Sequence, residues 1–145
     1  MTNSETTLAD YPLHSTDKLR YADTDRLGHV NNAVFSTFLE TGRVDLLYGK
    51  YGELADDGCD FVIARMELDF LQEINWPGSV DIGSRVLKVG RSSFTLEQGV
   101  FQDGGRAARA NTVIVQMNRQ TRKSHPLSVE ASEKLAMLVS PAKDA

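Results

Sequence analysis

The chain contains one long helical pattern, Val30-Asn-Asn-Ala-Val-Phe-Ser-Thr-Phe-Leu-Glu-Thr-Gly-Arg-Val-Asp-Leu-Leu-Tyr48. Its apolar and small residues recur at three- and four-residue spacing, which predicts a helix with a wide buried stripe. The stripe consists of Val34, Phe35, Phe38, Leu39, Gly42, Leu46 and Leu47. Asn31 or Asn32 suits the N-cap, and Gly49 and Gly52 suit the end of the helix. Because Gly42 has no side chain, we expect another backbone to approach the helix closely there.

In the rest of the domain the sequence pattern predicts β-strands joined by tight turns. One strand precedes the helix, and others cover residues 62–70, 80–89, 94–101 and 106–117. Residues 62–70 alternate cleanly between apolar and polar side chains, whereas residues 80–89 change phase, which suggests a bulge or twist near Gly83. The turn signals are Asn75-Trp-Pro-Gly-Ser79, Gly90-Arg-Ser-Ser93 and Asp103-Gly-Gly105. Tight turns join antiparallel neighbours, so we expect an antiparallel sheet covering the helix in an α+β layout.

Length and composition indicate one ordinary globular domain. We assign residues 1–12 to a flexible N-terminal tail, residues 13–139 to the domain, which ends in a short helix over 128–139, and residues 140–145 to a flexible C-terminal tail. The 16 basic and 20 acidic residues give a net charge of −4, which offers no general attraction for nucleic acid or an anionic membrane. The sequence shows no signal peptide and no apolar run of about 18 residues, so we expect a cytoplasmic protein.

The single cysteine, Cys59, excludes an internal disulfide and a thiolate metal cluster. We expect it to be a small apolar filler beside a strand.

The segment that precedes the helix carries the residues suited to chemistry. Asp23 and Asp25 lie one residue apart, Gly28 and His29 follow, and the helix then begins. A helix N-terminus presents unpaired N–H groups and a partial positive charge, which favour an anion or a polarised carbonyl oxygen. A carboxylate beside such an end fits acyl transfer or hydrolysis, although the same residues also suit plain helix caps. Outside this segment only His14 and His125 remain, so we expect no metal site.

The stretch Arg20-Tyr-Ala-Asp-Thr-Asp25-Arg-Leu-Gly-His-Val-Asn-Asn-Ala-Val-Phe35 resembles the opening of the 4-hydroxybenzoyl-CoA thioesterase-like branch of the hotdog superfamily. That branch shows an Asp, two variable residues, Gly, His-Val-Asn-Asn or a variant, and then an aromatic residue. Phe38-Leu-Glu40-Thr-Gly-Arg43 is similar to the family's Glu and Arg on the central helix, and Gly90-Arg-Ser-Ser-Phe94 is similar to its entry into a mid-sheet strand. The resemblance extends over residues 14–138.

The resemblance implies a hotdog fold, in which a curled antiparallel sheet of five strands wraps a long central helix. It implies an acyl-CoA thioesterase that releases free acid and CoA. No cofactor is then needed, because coenzyme A is part of the substrate. Such proteins are at least dimers with active sites at the subunit interface, so we expect a homodimer or a dimer-of-dimers tetramer.

The resemblance also assigns roles to individual residues. Asp25 maps to the family aspartate and would be the nucleophile or general base, with Asp23 as its natural rival. The backbone N–H of Asn32 would polarise the thioester carbonyl. Gly28 and His29 would shape the pocket, and His29 is also a secondary candidate for a catalytic role.

Substrate binding has less specific candidates. The CoA phosphates need cationic contacts, which two groups could provide. One is the turn of Arg91, Ser92 and Ser93; the other is Arg119, Arg122 and Lys123. The aromatic residues Phe35, Phe38 and Phe61 could line an acyl pocket, and the same residues would serve any core. Glu40 is a third carboxylate, which we interpret as a partner of Arg43 or of another subunit.

Three other hypotheses about the function of the site stay open. The substrate could be carried by acyl-carrier protein, although the negative net charge disfavours an acidic partner. The protein could bind acyl-CoA without turnover, but a binding module does not need the carboxylate of Asp25. A hotdog dehydratase uses a different Asp and His pattern and is the weakest of the three.

Overall fold

The frame of the molecule is one antiparallel sheet of five strands, in a computed structural model that describes residues 6–140. The strands are β1 (Leu13–Lys18), β2 (Cys59–Phe70), β3 (Ser79–Val89), β4 (Ser93–Gln102) and β5 (Gly105–Asn118). Their order across the sheet is β1-β3-β4-β5-β2, so β1 and β2 are the edge strands. The sheet and the long helix packed on one of its faces confirm the predicted α+β hotdog layout.

Helix α1 (Asn32–Val44) supplies the centre of the core. Asn31 is its N-cap, as predicted, and the side-chain oxygen of Asn31 accepts a hydrogen bond of 2.9 Å from the N–H of Ala33. The helix continues as a π-helical turn at Asp45–Gly49. The predicted stripe faces the sheet, and its buried members are Phe35, Phe38, Leu39, Gly42, Leu46 and Leu47.

The close approach predicted at Gly42 is made by side chains of the sheet instead of a second backbone. A Cβ atom built on Gly42 would lie 2.5 Å from Nε2 of Gln98 and 2.9 Å from Cγ2 of Ile82. The Gln98 amide donates hydrogen bonds of 3.1 Å to the carbonyl of Leu39 and to the hydroxyl of Ser84. This buried amide therefore ties the helix to the sheet at the point where the glycine makes room.

A bulge interrupts the alternation of β2. The register between β2 and β5 shifts between Ile63 and Arg65. As a result Phe61 and Met66 both pack against the core. In a regular strand these two residues would face opposite sides of the sheet, because an odd number of positions separates them. The clean alternation predicted for residues 62–70 was therefore wrong at its start, because an inserted residue reverses the side-chain phase of a strand.

The phase change of β3 also lies elsewhere than the sequence suggested. The register with β4 shifts between Val86 and Lys88, whereas Gly83 pairs regularly with Gly99. Gly83 makes room for an aromatic ring, since a Cβ built there would lie 2.5 Å from Cγ of Tyr11.

Part of the predicted N-terminal tail packs on the outer face of the sheet. Leu8–Asp10 forms a short helical turn, and Tyr11 is only 2% exposed. Its ring lies 4.7 Å from the guanidinium carbon of Arg85, which forms a buried ion pair with Glu97. Assigning Tyr11 to a tail with little to bury was wrong, because its partners are supplied by distant strands. Residues 1–5 lie outside the described part of the chain.

The C-terminal part of the domain closes one end of the core. Helix α2 (Val129–Ala136) is capped by Ser128, whose hydroxyl accepts a hydrogen bond of 3.0 Å from the N–H of Ala131. Leu135 is buried in the same cluster as Leu46 and Phe94. Of the predicted C-terminal tail, only the first residue falls within the described part, and residues 141–145 lie outside it.

Cys59 begins β2 and is 2% exposed. Burial raises the pKa of its thiol. None of the helices within residues 6–140 has the length and apolar character required to cross a bilayer.

The packing around Gly42 predicts that Gly42→Ala destabilises the fold. The added methyl group must displace the Gln98 amide or Ile82, and overpacking of this kind costs about 1–3 kcal/mol. Denaturant unfolding measures the change in the free energy of unfolding. Ser36→Ala, at an exposed position of the same helix, is the control and should leave stability unchanged or slightly higher. A Gly42→Ala protein as stable as this control would contradict the close approach.

Candidate functional site

A hairpin-like loop carries the predicted catalytic carboxylate. Thr24 and Val30 form an antiparallel bridge, and inside it the N–H of Asp25 donates a hydrogen bond of 2.7 Å to the carbonyl of His29. Gly28 has a φ of 84°, in the left-handed region that side chains other than glycine rarely adopt. The loop therefore favours glycine at this position, and the pocket-shaping role of Gly28 stays a prediction.

The side chain of Asp25 is exposed and only partly engaged. Its Oδ1 atom accepts hydrogen bonds from the backbone N–H groups of Leu27, at 2.9 Å, and His29, at 3.3 Å. Within residues 6–140 its Oδ2 atom has no hydrogen-bond partner. One oxygen thus fixes the orientation of the carboxylate, and the other is available to a water molecule or a ligand.

Asp23, the other candidate carboxylate, has both side-chain oxygens engaged in hydrogen bonds within the fold. It is 3% exposed, its Oδ2 atom accepts from the N–H of Arg20 at 2.8 Å, and its Oδ1 atom accepts from the guanidinium of Arg20 at 2.9 Å. Its carbonyl accepts from the N–H of Asn31 at 2.8 Å. Asp23 therefore holds the loop against the start of the helix and presents no oxygen to a substrate.

The start of helix α1 lies directly behind this loop. Asn31 caps the helix with its side chain, and its carbonyl accepts from the N–H of Val34 at 2.9 Å. Asn32 is exposed and is the first residue of the helix, so its N–H has no acceptor within the helix. The amide predicted to polarise a carbonyl thus belongs to an exposed residue at the free end of the helix, directly after the Asp25 loop in the chain.

His29 is held by a residue that the sequence did not single out. Its Nε2 atom lies 2.7 Å from Oε2 of Glu73, in the segment that follows β2. The same two segments pair through their backbones, because His29 bridges Asn75 and the N–H of Val30 donates to the carbonyl of Ile74 at 2.8 Å. No local pattern marks Glu73, since its role depends on this long-range pairing.

Exposed aromatic residues surround the loop and were also missed. Tyr21 and Trp76 meet edge to face, with ring centroids 5.3 Å apart. Phe70, which is half exposed, meets Phe35 in the same way at 5.1 Å. Phe35 itself is buried, so of these rings Phe70, Tyr21 and Trp76 are the ones that can contact a ligand. The sequence offered a weak signal for them, since Tyr21 and Trp76 stand in loops where an apolar ring has little to bury against.

The comparisons with known proteins identify the family. Residues 19–135 match the model of the thioesterase-like superfamily, which is most of the chain. The chain belongs to this superfamily. The match confirms the resemblance seen in the sequence and the predicted enzyme class, thioester hydrolase. No curated protein sequence matches the chain.

Several solved structures resemble this thioesterase-like chain. A thioesterase from Thermus thermophilus, solved with coenzyme A and zinc, is 32% identical, with 86% of this chain and 98% of that chain covered and a TM-score of 0.75. The PA5185 protein from Pseudomonas aeruginosa is 24% identical, with 94% and 98% covered and a TM-score of 0.85. The DHNA-CoA thioesterase from Staphylococcus aureus is 22% identical, with 86% and 91% covered and a TM-score of 0.77. The last two similarities show the fold alone.

The basic residues predicted to hold the CoA phosphates lie at the opposite end of the sheet from the Asp25 loop. The Asp25 loop pairs with Asn75, which is hydrogen-bonded to Gln102 at the end of β4. Arg91 precedes the start of β4, so the ten residues of that strand separate the two regions by about 30 Å. Ser92 and Ser93 lie in the same turn as Arg91. The N–H of Gln116, near the end of β5, donates to the carbonyl of Ser92. The turn that follows β5, with Arg119, Arg122 and Lys123, is therefore at the same end of the sheet. A single chain therefore does not bring these residues to Asp25.

The predicted pairing of Glu40 with Arg43 is absent from the described structure, where the two residues form no ion pair. Both line a groove between α1 and β2, together with Phe61. Burial lowers the pKa of Arg43 from its ordinary value, and the charge of Glu40 opposes this effect. Phe38 faces a different groove, beside β1, so it does not share a pocket with Phe61. Within residues 6–140, no three His, Cys, Asp or Glu side chains come together as a metal site.

The contrast between the two aspartates predicts different effects on stability. Asp23→Ala removes the acceptor of two hydrogen bonds inside the fold and should lower the free energy of unfolding by about 1–3 kcal/mol. Asp25→Asn keeps an oxygen for the two loop amides and should change it by no more than about 0.5 kcal/mol. Denaturant unfolding of both variants measures this difference. Equal losses of stability would mean that both carboxylates are structural.

Proposed function

We propose that this protein hydrolyses acyl-CoA thioesters to free acid and CoA, with Asp25 and the start of helix α1 as the catalytic groups. The observation that carries the proposal is an oriented carboxylate with a free Oδ2 atom, in the loop that leads into the unpaired first amide of helix α1, that of Asn32. The CoA-bound thioesterase from Thermus thermophilus supports coenzyme A as the carrier of the acyl group.

Two routes fit this arrangement, and both begin with polarisation of the carbonyl by the Asn32 N–H. In the first, Asp25 takes a proton from water, the hydroxide adds to the carbonyl carbon, and the carbon–sulfur bond breaks. In the second, Asp25 attacks the carbonyl itself and expels the CoA thiolate, and water then hydrolyses the anhydride. In either route the oxyanion faces the helix end, where one donated hydrogen bond contributes about 10²–10³ in rate.

His29 has a supporting role in this proposal. Its backbone N–H helps to orient Asp25, and its ring is engaged by Glu73. The ring therefore has one nitrogen, Nδ1, left for contact with the substrate or the leaving thiolate. This makes His29 a secondary catalytic candidate, as the sequence suggested.

The proposal includes a homodimer formed through β2, either alone or within a dimer-of-dimers tetramer. Within the described residues β2 has one unpaired edge, and an edge strand is a template for pairing with another chain. Large apolar side chains are exposed on this strand, on α1 and near them: Ile63, Phe70, Leu71, Val44 and Tyr48. Exposed apolar side chains along and near an unpaired edge strand favour an interface there.

Such a dimer also explains the distance between the carboxylate and the basic turns. A two-fold axis pairs β2 with its copy in antiparallel fashion, so the first residues of one strand lie beside the last residues of the other. The end of the sheet that carries Arg91 in one subunit then approaches the Asp25 loop of its neighbour. We propose that each site takes its carboxylate from one subunit and its phosphate-binding cations from the other.

Two other functions for the same site are distinguished by the thiol-release assay described below. An acyl-carrier-protein thioesterase would need a basic surface for its acidic partner, against a net charge of −4. A protein that only binds acyl-CoA would not need the free oxygen of Asp25. We therefore place hydrolysis of acyl-CoA first, in a cytoplasmic setting.

We expect Asp25→Asn to lose at least about 100-fold in kcat/KM, because the amide is neither a base nor a nucleophile. Release of free thiol from short, medium, long and aryl acyl-CoAs measures the loss. Asp81→Asn, on β3 beside the opposite edge strand β1, is the matched control and should behave as the parent. Undiminished release by Asp25→Asn would remove this residue from catalysis. If the parent releases no thiol from any acyl-CoA, the hypothesis of a protein that only binds acyl-CoA replaces that of a hydrolase.

A shared site predicts complementation between inactive variants. Asp25→Asn and Arg91→Ala are co-expressed with different tags, and the mixed dimer is purified. One of its two sites then carries both defects and the other carries none, so thiol release should recover to about half of the parent value. Solution mass measurement verifies the dimer. A stable monomer, or a mixed dimer no more active than its two parents, would show that the site is not divided in this way.

A further inference from the structure

The contact between His29 and Glu73 joins the Asp25 loop to the segment that follows β2. Atom Nε2 of His29 lies 2.7 Å from Oε2 of Glu73. Two lone pairs at this separation would repel each other, so we infer that the ring carries its proton on Nε2, between the two atoms. In the neutral ring the other nitrogen, Nδ1, then keeps its lone pair and can accept a proton.

The surrounding backbone fixes the position of Glu73. Ile74, which follows it, is fully buried, and its carbonyl accepts a hydrogen bond of 2.8 Å from the N–H of Val30. The next residue, Asn75, bridges His29 itself. The side chains of His29 and Glu73 are 37% and 57% exposed, and an ion pair this exposed contributes little to stability. The contact therefore has more value for orienting the ring than for stabilising the fold.

The free nitrogen of this ring belongs to the same loop as the Asp25 carboxylate. The backbone nitrogen of His29 lies 3.3 Å from Oδ1 of Asp25. Because Nδ1 is four covalent bonds from that backbone nitrogen, bond lengths alone keep it within about 8 Å of the same oxygen. Hydrogen-bonded water molecules can span such a distance. Nδ1 can therefore act on a water molecule that approaches an acyl group carried by Asp25.

The covalent route of hydrolysis needs a proton acceptor other than Asp25. Once Asp25 has taken the acyl group as an anhydride, its carboxylate is no longer a base, yet the water that attacks the anhydride must lose a proton. Asp23 is not available for this proton, because both of its oxygens accept hydrogen bonds from Arg20. The acceptor that the loop provides is the lone pair on Nδ1 of His29.

We propose that Glu73 is a positioning residue, which holds His29 so that Nδ1 takes a proton from the water that hydrolyses an Asp25 anhydride. This inference rests on the proposed hydrolysis at Asp25 and selects its covalent route.

The reaction then has two halves. Asp25 bonds to the carbonyl carbon, and the carbon–sulfur bond breaks to release the CoA thiolate. Water next gives one proton to Nδ1 of His29, and its oxygen bonds to the acyl carbon. The bond from this carbon to Asp25 breaks, which restores the carboxylate and releases the free acid. The proton on Nδ1 passes through solvent to the released thiolate.

Glu73→Ala tests this inference through the kinetics of thiol release from acyl-CoA. Slower hydrolysis of the anhydride should lower kcat by at least about tenfold, since a positioned base contributes about 10²–10⁴. KM should fall by the same factor and kcat/KM should stay constant, because acylation of Asp25 precedes the slowed step. The first turnover should appear as a burst of one thiol per site, and mass spectrometry should detect the acyl group on Asp25.

Three further variants separate positioning from a structural role. Glu73→Gln keeps an oxygen that can accept from Nε2 and should retain more of the parent's kcat than Glu73→Ala. His29→Ala keeps the backbone N–H that orients Asp25 and should show the same burst, also if Glu73→Ala does not fold. Adding Glu73→Ala to His29→Ala should have no further effect. Asp81→Asn, beside the opposite edge strand, should behave as the parent.

The outcomes separate this inference from the proposed function. If Asp25→Asn is inactive but Glu73→Ala keeps the parent's kcat and KM, the role of Glu73 is overturned and hydrolysis at Asp25 stands. A fall in kcat/KM without a burst has the same meaning. Ring nitrogen chemical shifts give a check independent of turnover: in mildly alkaline solution His29 should be protonated on Nε2, and protonation on Nδ1 overturns the inference. A parent inactive on every acyl-CoA overturns both proposals.

Discussion

The contact between Gly42 and the Gln98 amide determines how the rest of the molecule is arranged. The missing side chain lets helix α1 approach the sheet, and the amide then bonds to both Leu39 and Ser84. Because this amide is buried, its hydrogen bonds are lost only at the full desolvation penalty of an unpaired polar group. The helix therefore has one position on the sheet. Its first residue, Asn32, is fixed at the end of the sheet where the Asp25 loop lies.

The loop in turn depends on the segment that follows β2. Two backbone contacts, from His29 and Val30, pair the loop with residues 74 and 75, and Asp23 ties its base to Arg20. The acidic residue that is buried thus stabilises the loop, while the exposed one, Asp25, is left with a free oxygen. Two carboxylates one residue apart serve different purposes because one faces the fold and the other faces solvent.

The sequence predicted the features that depend on local chemistry. The Asn31 cap, the long helix and the hairpin at Asp103 follow from periodicity and from residues with special backbone preferences. The bulge at Ile63, the burial of Tyr11 and the contact of Glu73 with His29 depend on partners far along the chain. A single sequence holds no record of which strands pair, so no periodicity could identify them. For the site, the pattern singled out Asp25 and the Asn32 amide as candidates and missed Glu73, which contacts His29 in the same loop.

The antiparallel topology has a consequence for any ligand that carries both a reactive carbonyl and phosphates. Strand β4 runs from Ser93, beside Arg91, to Gln102 at the end where Asp25 lies, so acid and cations in one chain are separated by the length of the sheet. A two-fold pairing at the β2 edge removes this separation without any change in the chain itself. The apolar edge of β2 would then stabilise the dimer and also complete the site, and loss of the interface would remove the phosphate contacts before it affected the carboxylate.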